Sequence, residues 1–346
     1  MLRGILLLNK KKVSISEVAK QAEVSSMTVS RVVHGGTSVK EETRKRIVEA
    51  MIRLGYVPSA AAQALRSNKD LTISPSSLFA LIFGSGTEYS VSFFHDITRG
   101  VEKAALELKL CPVYISIYKD MEELWMRLQG LFSAYSLSGA LLVGQFTPEI
   151  IQFIRENVKN IVMVDGPAQS GEGIGVVESG NMEGSLLALD HLISLGCRKI
   201  KIITVEQNHY FARAMTMAAK IRRSKDVDIE LWYNCDSCEK AEELVMTNWN
   251  NGNHFDGLYS NDDFAIGAMK ALQTLNIKIP KDVKIVGFDD ILYASFTVPP
   301  LTSVRIDKYL LGSEAVHTLV AISKASNKAE NITKVIRPSL IIRGSA

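Results

Sequence analysis

The stretch SISEVAKQAEVSSMTVSRVVHGG, residues 14–36, predicts two short helices joined by a tight turn. In the first helix Val18 and Ala22 lie about one turn apart and belong to an apolar stripe on an otherwise polar cylinder. Ser14 precedes this helix and Glu17 follows three residues later, so a hydroxyl and a carboxylate can satisfy the unpaired N–H groups at the helix start. The first helix is therefore expected to pack one face on a small core.

The second helix of this stretch, from about Ser26 to His34, has two different faces. Valine side chains point to one side, and the opposite side carries Ser26, Met27, Ser30, Arg31 and His34. A third helix, EETRKRIVEAMIRLGY (residues 41–56), repeats an apolar stripe and ends at a glycine, which is a common helix terminator. Three helices thus close a small core and leave one polar face for a partner.

The charge of the chain is unevenly distributed. Residues 1–69 contain 13 Lys and Arg against 5 Asp and Glu, a net charge of +8, and since the whole chain carries +3 the rest carries −5. A basic N-terminal region on an acidic body is typical of a protein that binds nucleic acid through one end. The length of 346 residues predicts two or three domains.

These N-terminal segments, together with ETRKRIVEAMIRLGYVPSAAAQAL (residues 42–65), resemble the DNA-binding headpiece of the lactose repressor family of bacterial transcription regulators. The elements TVSRVV, ETR, LGYVP and the Ala-rich run before Leu65 occur in order and at the family spacing. One position departs from the family pattern: Glu23 lies in the turn between the first two helices, where members usually have Gly, and it accepts a positive φ less readily.

The resemblance implies that the second helix reads base edges in the major groove, with Thr28 and Ser30 nearer the phosphates. Arg31 can donate two hydrogen bonds to guanine O6 and N7, whereas Met27 offers apolar contact, for instance with a thymine methyl group. The alternative is that Arg31 is a solvated surface charge. The predicted DNA-contacting residues of the headpiece are Ser26, Met27, Thr28, Ser30, Arg31 and His34.

Residues 59–77, SAAAQALRSNKDLTISPSS, begin as a helix and become polar, which is typical of a linker. By resemblance the helix forms on operator DNA, and Leu65 inserts as a wedge into the minor groove. The alternative is a plain tether in which Leu65 packs on the body.

From Leu78 onward, short apolar runs alternate with amphipathic helices, which predicts buried parallel strands in two doubly wound α/β units. The predicted strands are LFALIF (78–83), VYISI (113–117), ALLV (140–143) and IVMV (161–164), then KIIT (201–204), IELWY (229–233), FDGLYS (255–260) and VKIVGF (283–288). This body resembles a periplasmic sugar-binding protein. The expected fold class is α/β, with a three-helix helix-turn-helix headpiece, a hinge, and a two-lobed periplasmic-binding-protein-like core.

The expected boundaries are residues 13–58 for the headpiece, 59–77 for the hinge helix and linker, and 78–346 for the effector-binding and dimerisation core. By resemblance each lobe of the core is discontinuous. The N-lobe is expected to contain about 78–176 and 304–325, and the C-lobe about 177–303 and 326–346.

Polar residues follow three of the predicted strands: Asp165, then Asn261 with Asp262, then Asp289. Open α/β sheets bind ligands at the carboxyl ends of their strands, so these side chains are candidates for a cleft between the lobes. By resemblance to the motifs SNDD and GFDD, Asn261, Asp289 and Asp165 contact hydroxyls or amines of an effector. In the alternative interpretation Asn261 and Asp262 cap a helix.

Phe93 and Phe94 match paired aromatics of the family and could stack on a sugar ring or purine, or they could belong to the core. Family members usually present an arginine three residues before a Gly-aromatic pair. Here Met215 occupies that register, and Arg213 lies two positions earlier. Arg213 is the candidate arginine for effector binding, and the expected effector is a sugar or sugar derivative. Because the arginine is out of the family register, the alternatives are a ligand without an acidic group and no small-molecule effector at all.

Other classes of protein fit the sequence poorly. The four cysteines form no disulfide framework, and the pair Cys235 and Cys238 lacks the further ligands of a zinc site, so no metal or other cofactor is expected. The segment MLRGILLLNKKK has its charges after its apolar run, the reverse of a secretory signal, and no run is long enough to span a membrane. We expect a cytoplasmic protein.

Adjacent carboxylates at Asp262 and Asp263, and at Asp289 and Asp290, could suggest acid/base catalysis, but no G-x-S-x-G, P-loop or H-E-x-x-H motif is present. The sequence therefore predicts a non-enzymatic, homodimeric, sequence-specific transcriptional regulator, a repressor of carbohydrate-related genes that binds a palindromic operator on double-stranded DNA and a small-molecule effector. The alternative is an α/β ligand-binding protein or enzyme whose N-terminal helices mediate only protein contacts.

Overall fold

The computed structural model describes residues 14–33, 39–54, 78–84, 91–116, 127–129, 131–132, 135, 137–167, 174–324 and 332–346. The chain divides into two compact units, Met1–Ser76 and Ser77–Ala346. Each unit has a core of its own, and the two are described separately.

The first unit contains three helices: α1 (Ile15–Gln21), α2 (Ser26–Val33) and α3 (Glu41–Leu54). The predicted capping box at the start of α1 is confirmed, since the Glu17 N–H donates to Ser14 Oγ at 3.3 Å and the Ser14 N–H donates to Glu17 Oε2 at 2.6 Å. The apolar stripes of the three helices form one core, as their spacing predicted, from Val18, Ala19, Ala22, Val29, Val32, Ile47 and Ala50.

Glu23, in the turn between α1 and α2, adopts a φ of 53°. The left-handed region brings Cβ too close to a backbone oxygen, which costs a non-glycine residue roughly 1–2 kcal/mol. The turn therefore needs the conformation that glycine adopts freely, although the chain has a glutamate there.

We predict that Glu23→Gly stabilises the headpiece by about 0.5–1 kcal/mol, because relief of the strain exceeds the extra entropy that glycine gives the unfolded chain. Hydrogen exchange of the α1–α3 amides in the full chain would measure the gain. Gln21→Gly is the matched control, since Gln21 ends α1, and it should destabilise the headpiece. The prediction would be contradicted if hydrogen exchange in Glu23→Gly were no slower than in the wild-type protein.

The second unit is built on twelve strands among the described residues. They are β1 (Leu78–Phe83), β2 (Cys111–Ser116), β3 (Ala140–Val143), β4 (Ile161–Val164), β5 (Ile174–Ser179), β6 (Lys199–Ile203), β7 (Asp228–Trp232), β8 (Gly257–Ser260), β9 (Lys284–Asp289), β10 (Thr302–Arg305), β11 (Thr333–Ile336) and β12 (Ser339–Ile341). The eight predicted strands are confirmed within about two residues.

Helices connect these strands. They are α4 (Val91–Glu107), α5 (Pro148–Asn157), α6 (Asn181–Ser194), α7 (Tyr210–Arg222), α8 (Cys238–Asn250), α9 (Asp262–Thr274) and α10 (Lys308–Lys324), with a 3₁₀ turn at Leu292–Phe296. Most of the segment around residues 120–134, where a further helix is predicted, lies outside the described residues. None of the described helices combines the length and the apolarity needed to cross a bilayer.

The strands form two six-stranded sheets, one in each lobe. The first has the order β11-β5-β4-β3-β1-β2, and its strands are all parallel. The second has the order β12-β10-β9-β8-β6-β7, and β12 alone runs antiparallel within it. The doubly wound, two-lobed architecture that the sequence predicts is thus present.

One strand lies in a different lobe from the one the sequence predicts. Residues 326–346 are predicted in the C-lobe, but β11 pairs in parallel with β5 of the N-lobe, with Thr333 opposite Val176. The prediction was wrong for β11 because α10 packs on α4 and returns the chain beside the edge of β5, which would otherwise stay unpaired. β5 itself continues to Ser179, past the expected boundary at residue 176.

Candidate functional site

The exposed side of α2 carries the headpiece residues that were predicted to contact DNA. Ser26 and Arg31 are exposed, Ser30 is half-buried, and Met27 is 66 % exposed. Arg31 Nη2 lies 3.8 Å from the sulfur of Met27. The structure therefore brings a guanidinium and an apolar side chain together on one accessible face.

Ser25 forms hydrogen bonds with Thr28 at the N-terminus of α2. The Thr28 N–H donates to Ser25 Oγ at 3.2 Å, and the two hydroxyls of Ser25 and Thr28 are 2.8 Å apart. The N–H groups that remain free at the start of a helix attract phosphate, so this end of α2 is suited to contact the phosphate backbone of DNA. His34 and Leu65, the two other predicted DNA contacts, lie outside the described residues.

A cavity lies where strand ends of the two lobes meet. Five of the six predicted effector residues line it, and it also contains five residues that the sequence analysis did not select. Its lining residues are Phe93, Phe94, Asp165, Asn181, Val205, His209, Tyr210, Phe211, Asn261 and Asp289.

Asp165 follows β4 with a φ of 45°, a conformation that aspartate tolerates better than most residues. Its side chain is buried, and its Oδ2 atom accepts a hydrogen bond from the Tyr210 hydroxyl at 3.2 Å. Its Oδ1 atom has no hydrogen-bond partner among the described residues. Burial raises the pKa of Asp165, and the neighbouring Ser179 and Tyr210 offset part of the rise.

Asp289 ends β9 with a φ of 105°. Burial, and then the charge of Asp262, raise the pKa of Asp289 well above its usual value, and Lys308 opposes the rise. The Lys308 ammonium group donates to the main-chain oxygens of Asp289 and Asp290 and lies 5.8 Å from the centre of the Phe93 ring. Since Lys308 begins α10 in the N-lobe, these bonds tie the two lobes together beside the cavity.

Asn261 and Asp262 have separate tasks at the start of α9. Asn261 caps the helix, with its Oδ1 atom accepting from the Phe264 N–H at 3.2 Å, which leaves its amide NH₂ as the group for a ligand. Asp262 is fully buried and accepts from the Ser303 hydroxyl at 2.6 Å and from the Ile291 N–H at 2.8 Å. Burial raises the pKa of Asp262 to about 7. Asp262 is thus a structural hydrogen-bond acceptor.

Aromatic rings form the apolar walls of the cavity. The ring centres of Phe93 and Phe94 are 5.0 Å apart; Phe93 is buried and Phe94 is half-buried. Tyr210 stacks on His209 at 4.4 Å. Burial lowers the pKa of His209 to about 4, so this imidazole is neutral at pH 7.

Arg213 does not line this cavity. It is exposed and lines a neighbouring cleft, where Glu178 and Glu183 also lie. Met215, which occupies the family's arginine register, is completely buried in the core. Asp165 lines both the cavity and this cleft, so Arg213 shares a cleft with Asp165 but not with the other four predicted effector residues.

The residues that the prediction missed follow β5 and β6. Asn181 begins α6, two residues after the end of β5, and the set from Val205 to Phe211 follows β6. The rule that ligands gather at strand ends, which selected Asp165 and Asp289, would have found Val205 after the predicted strand KIIT, but not Asn181, because β5 was not among the predicted strands.

Comparison with known proteins matches residues 14–59 to the family described as "Bacterial regulatory proteins, lacI family" and residues 189–346 to the periplasmic binding protein-like domain. The chain is also 27 % identical over 353 residues to the HTH-type transcriptional repressor PurR of Haemophilus influenzae, with 96 % of this chain and 98 % of that protein covered. The chain is therefore similar to lacI-family regulators, in residues 14–59 by the family match and along almost its whole length by the PurR relative.

Other lacI-type proteins resemble it along most of their length. The ribose operon repressor of Halalkalibacterium halodurans is 28 % identical over 314 residues, which cover 89 % of each chain. The lac repressor dimer bound to operator and the anti-inducer ONPF has the same fold, with a TM-score of 0.74, 23 % identity and coverage of 97 % of this chain and 99 % of that one. The CelR–cellobiose complex gives a TM-score of 0.66 at 23 % identity, with coverage of 96 % and 100 %.

Proposed function

We propose that this protein is a lacI-family repressor that binds a palindromic operator as a homodimer, and that a small molecule in the cleft controls its affinity for DNA. The observation that carries the proposal is that one chain combines the exposed Met27 and Arg31 face of α2 with a cavity lined by Asp165, Asn261 and Asp289. A polar cavity with aromatic walls suits a sugar or sugar derivative, which offers hydroxyls to the acids and a ring face to Phe94.

The dimer is supported by the exposed apolar surface of the C-lobe. Leu292, Tyr293, Phe296 and Val298 are each at least 60 % exposed. They lie on or next to the 3₁₀ turn, and an apolar patch of this kind marks an interaction surface. A two-fold dimer would place two headpieces on half-sites about one helical turn apart.

The control mechanism is linkage between lobe closure and DNA binding. A ligand shifts the equilibrium only by its differential affinity for two arrangements of the lobes. Lys308 supports such coupling, because its ammonium group joins α10 to the main chain at Asp289 and Asp290 next to the cavity. A ligand on Asp289 would therefore act on a contact that links both lobes.

The proposal includes no catalytic role, and since the target is DNA it places the protein in the cytoplasm. The acidic pairs have structural partners: Asp262 is bonded to Ser303 and Ile291, and Asp290 forms ion pairs with Arg305 and Arg343, both at 2.6 Å. The described residues contain no group of three side chains suited to hold a metal.

The effector site is tested by Asp289→Asn. A ligand at a hundred times its dissociation constant stabilises the folded core by about 2.7 kcal/mol, so a thermal-shift screen of sugars, sugar phosphates, amino sugars and nucleobases should reveal binders. Asp289→Asn should remove most of the shift from any hit, because a buried charged acceptor is lost.

Asp226→Asn, in the exposed loop between α7 and β7, is the matched control and should keep the full shift. An unchanged shift in Asp289→Asn would place the ligand elsewhere. Operator fragments selected from random DNA then test the regulatory claim, since a cleft ligand must change their affinity.

A further inference from the structure

The cavity is lined by two carboxyl groups and by no lysine or arginine among the described residues. Its two carboxyl groups, Asp165 and Asp289, act on each other, because the charge of Asp165 contributes to raising the pKa of Asp289. His209 is neutral at pH 7, and Arg213 lines the neighbouring cleft together with Asp165, Glu178 and Glu183. Two buried carboxyl groups so close together either retain a proton or are ionised by a compensating cation.

Lys308 is the nearest candidate for that cation, but its ammonium group is already engaged. It donates to the main-chain oxygens of Asp289 and Asp290 and is itself buried. It therefore offsets only part of the charge of Asp289, and the pKa of this group remains well above its usual value.

Asp165 provides a second, independent observation. Its side chain is 5 % exposed, its Oδ2 atom accepts from the Tyr210 hydroxyl, and its buried Oδ1 atom makes no well-formed hydrogen bond, although Ser179 lies close enough to lower its pKa. Leaving a buried charged acceptor unsatisfied is costly, so the cavity contains an acceptor that a ligand or a water can serve. An ammonium group brings up to three donors and the missing positive charge together.

The aromatic walls favour the same ligand chemistry. Phe94 and Tyr210 line the cavity beside the two acids, and a cation near an aromatic face is attracted by the ring quadrupole. The ring and hydroxyls of a sugar still suit the Asn261 amide and the phenylalanines.

We propose that the effector is a small cationic amine that also carries hydroxyl groups, of which an amino sugar is the representative class, and that Asp165 and Asp289 bind its ammonium group. This inference rests on the proposed function of the cleft as the effector site. It distinguishes the ligand from a neutral sugar, for which the carboxyl groups would act only as hydrogen-bond acceptors.

Proton linkage follows from the surroundings of the two acids. The groups that act on them are Glu178 and Ser179 of β5, Tyr210 of α7, Asp262 and Asp263 of α9, and Lys308 of α10. Because both acids have raised pKa values, a bound cation favours their ionised forms and releases protons. Amine affinity should therefore rise as the pH is raised through the range in which the two acids lose their protons.

The test compares glucosamine, galactosamine and mannosamine with their parent hydroxyl sugars and their N-acetyl derivatives by calorimetry on the full chain. At least one amine should bind about tenfold or more tightly than both neutral counterparts, the difference expected when a buried charged hydrogen bond is gained. Titration in buffers of different ionisation enthalpy should show that protons are released when the amine binds.

Asp165→Asn separates charge from shape, because asparagine also tolerates the positive φ at this position. It should reduce amine binding about tenfold and alter the binding of a neutral sugar far less. Asp226→Asn should affect neither class of ligand, and circular dichroism would check that both variants fold.

If neutral sugars bind as tightly as the amines, or if none of the amines binds, the cationic effector is wrong. The proposed function is judged separately, by binding to selected operator DNA and by whether any cleft ligand alters it. A neutral sugar that releases the operator would overturn this inference and leave the proposed function standing.

Discussion

Arg31→Ala is expected to abolish sequence-specific DNA binding and to leave the weak, salt-sensitive binding to random DNA. A bidentate arginine–guanine contact contributes about 1–3 kcal/mol of discrimination, and a two-fold dimer would lose two such contacts, so specific affinity should fall by about 30-fold to 10⁴-fold. Arg31 Nη2 also lies 3.8 Å from the Met27 sulfur, so the mutation removes a contact with a second side chain that we predict to read bases. Fluorescence anisotropy on the selected operator and on a scrambled duplex would measure both affinities.

Arg46→Ala is the control for charge alone, since Arg46 is an exposed arginine on α3. It should reduce operator and scrambled binding by similar small factors, as expected for a long-range electrostatic contribution. An Arg31→Ala protein that still prefers the operator by the wild-type ratio would show that α2 does not read bases through this residue.

Asp262→Ala is expected to destabilise the core by about 3–5 kcal/mol. The mutation removes a fully buried group that accepts from the Ser303 hydroxyl at 2.6 Å and from the Ile291 N–H at 2.8 Å. These bonds join the start of α9 to the segment after β9 and to β10, so three parts of the C-lobe lose their common anchor. Urea unfolding of the full chain, followed by the fluorescence of the C-lobe tryptophans, would give the loss.

Two variants separate this effect from a general effect of removing charge. Asp262→Asn can accept from Ile291 and donate to Ser303, so it should keep most of the stability, while Asp228→Ala on the exposed start of β7 should change little. A loss in Asp262→Ala no larger than in Asp228→Ala would refute the anchor role.

The pH dependence gives a further signature. Because the folded-state pKa of Asp262 is about 7 and its usual value is 3.8, the folded protein binds the extra proton between these values. The contribution of this group to stability is therefore present below about pH 4 and is lost as the pH rises to about 7. Asp262→Asn should remove that part of the slope.

The sequence predicted most of the fold because buried parallel strands are continuous apolar runs with abrupt ends. LFALIF, ALLV and IVMV correspond to β1, β3 and β4 residue for residue. β11 lacks such a run: its sequence at the edge of a sheet is TKVI, two polar residues followed by two apolar ones. Its lobe depends on where α10 delivers the chain, which is a tertiary property.

The site was predictable where a polar residue directly follows a strand, as for Asp165, Asn261 and Asp289. It was not predictable for Tyr210, because its hydrogen bond to Asp165 joins positions 45 residues apart in sequence. Asp262 was ambiguous for a related reason. On the first turn of α9, a shift of one residue changes whether an acidic side chain faces the cavity or Ser303. The rotation of the helix about its axis is set by packing, which the sequence pattern does not give.

After α10 the chain adds one strand to each sheet, and this order affects folding during synthesis. β11 closes the edge of one sheet, β12 closes the edge of the other, and the Ser345 hydroxyl accepts from the Thr302 N–H at 2.8 Å. The headpiece core, by contrast, is complete at Leu54. On the ribosome, the operator-binding unit can therefore assemble long before either sheet of the core is complete. A nonsense mutation just before Thr333 would consequently be expected to yield a protein that retains its headpiece and cannot respond to the effector.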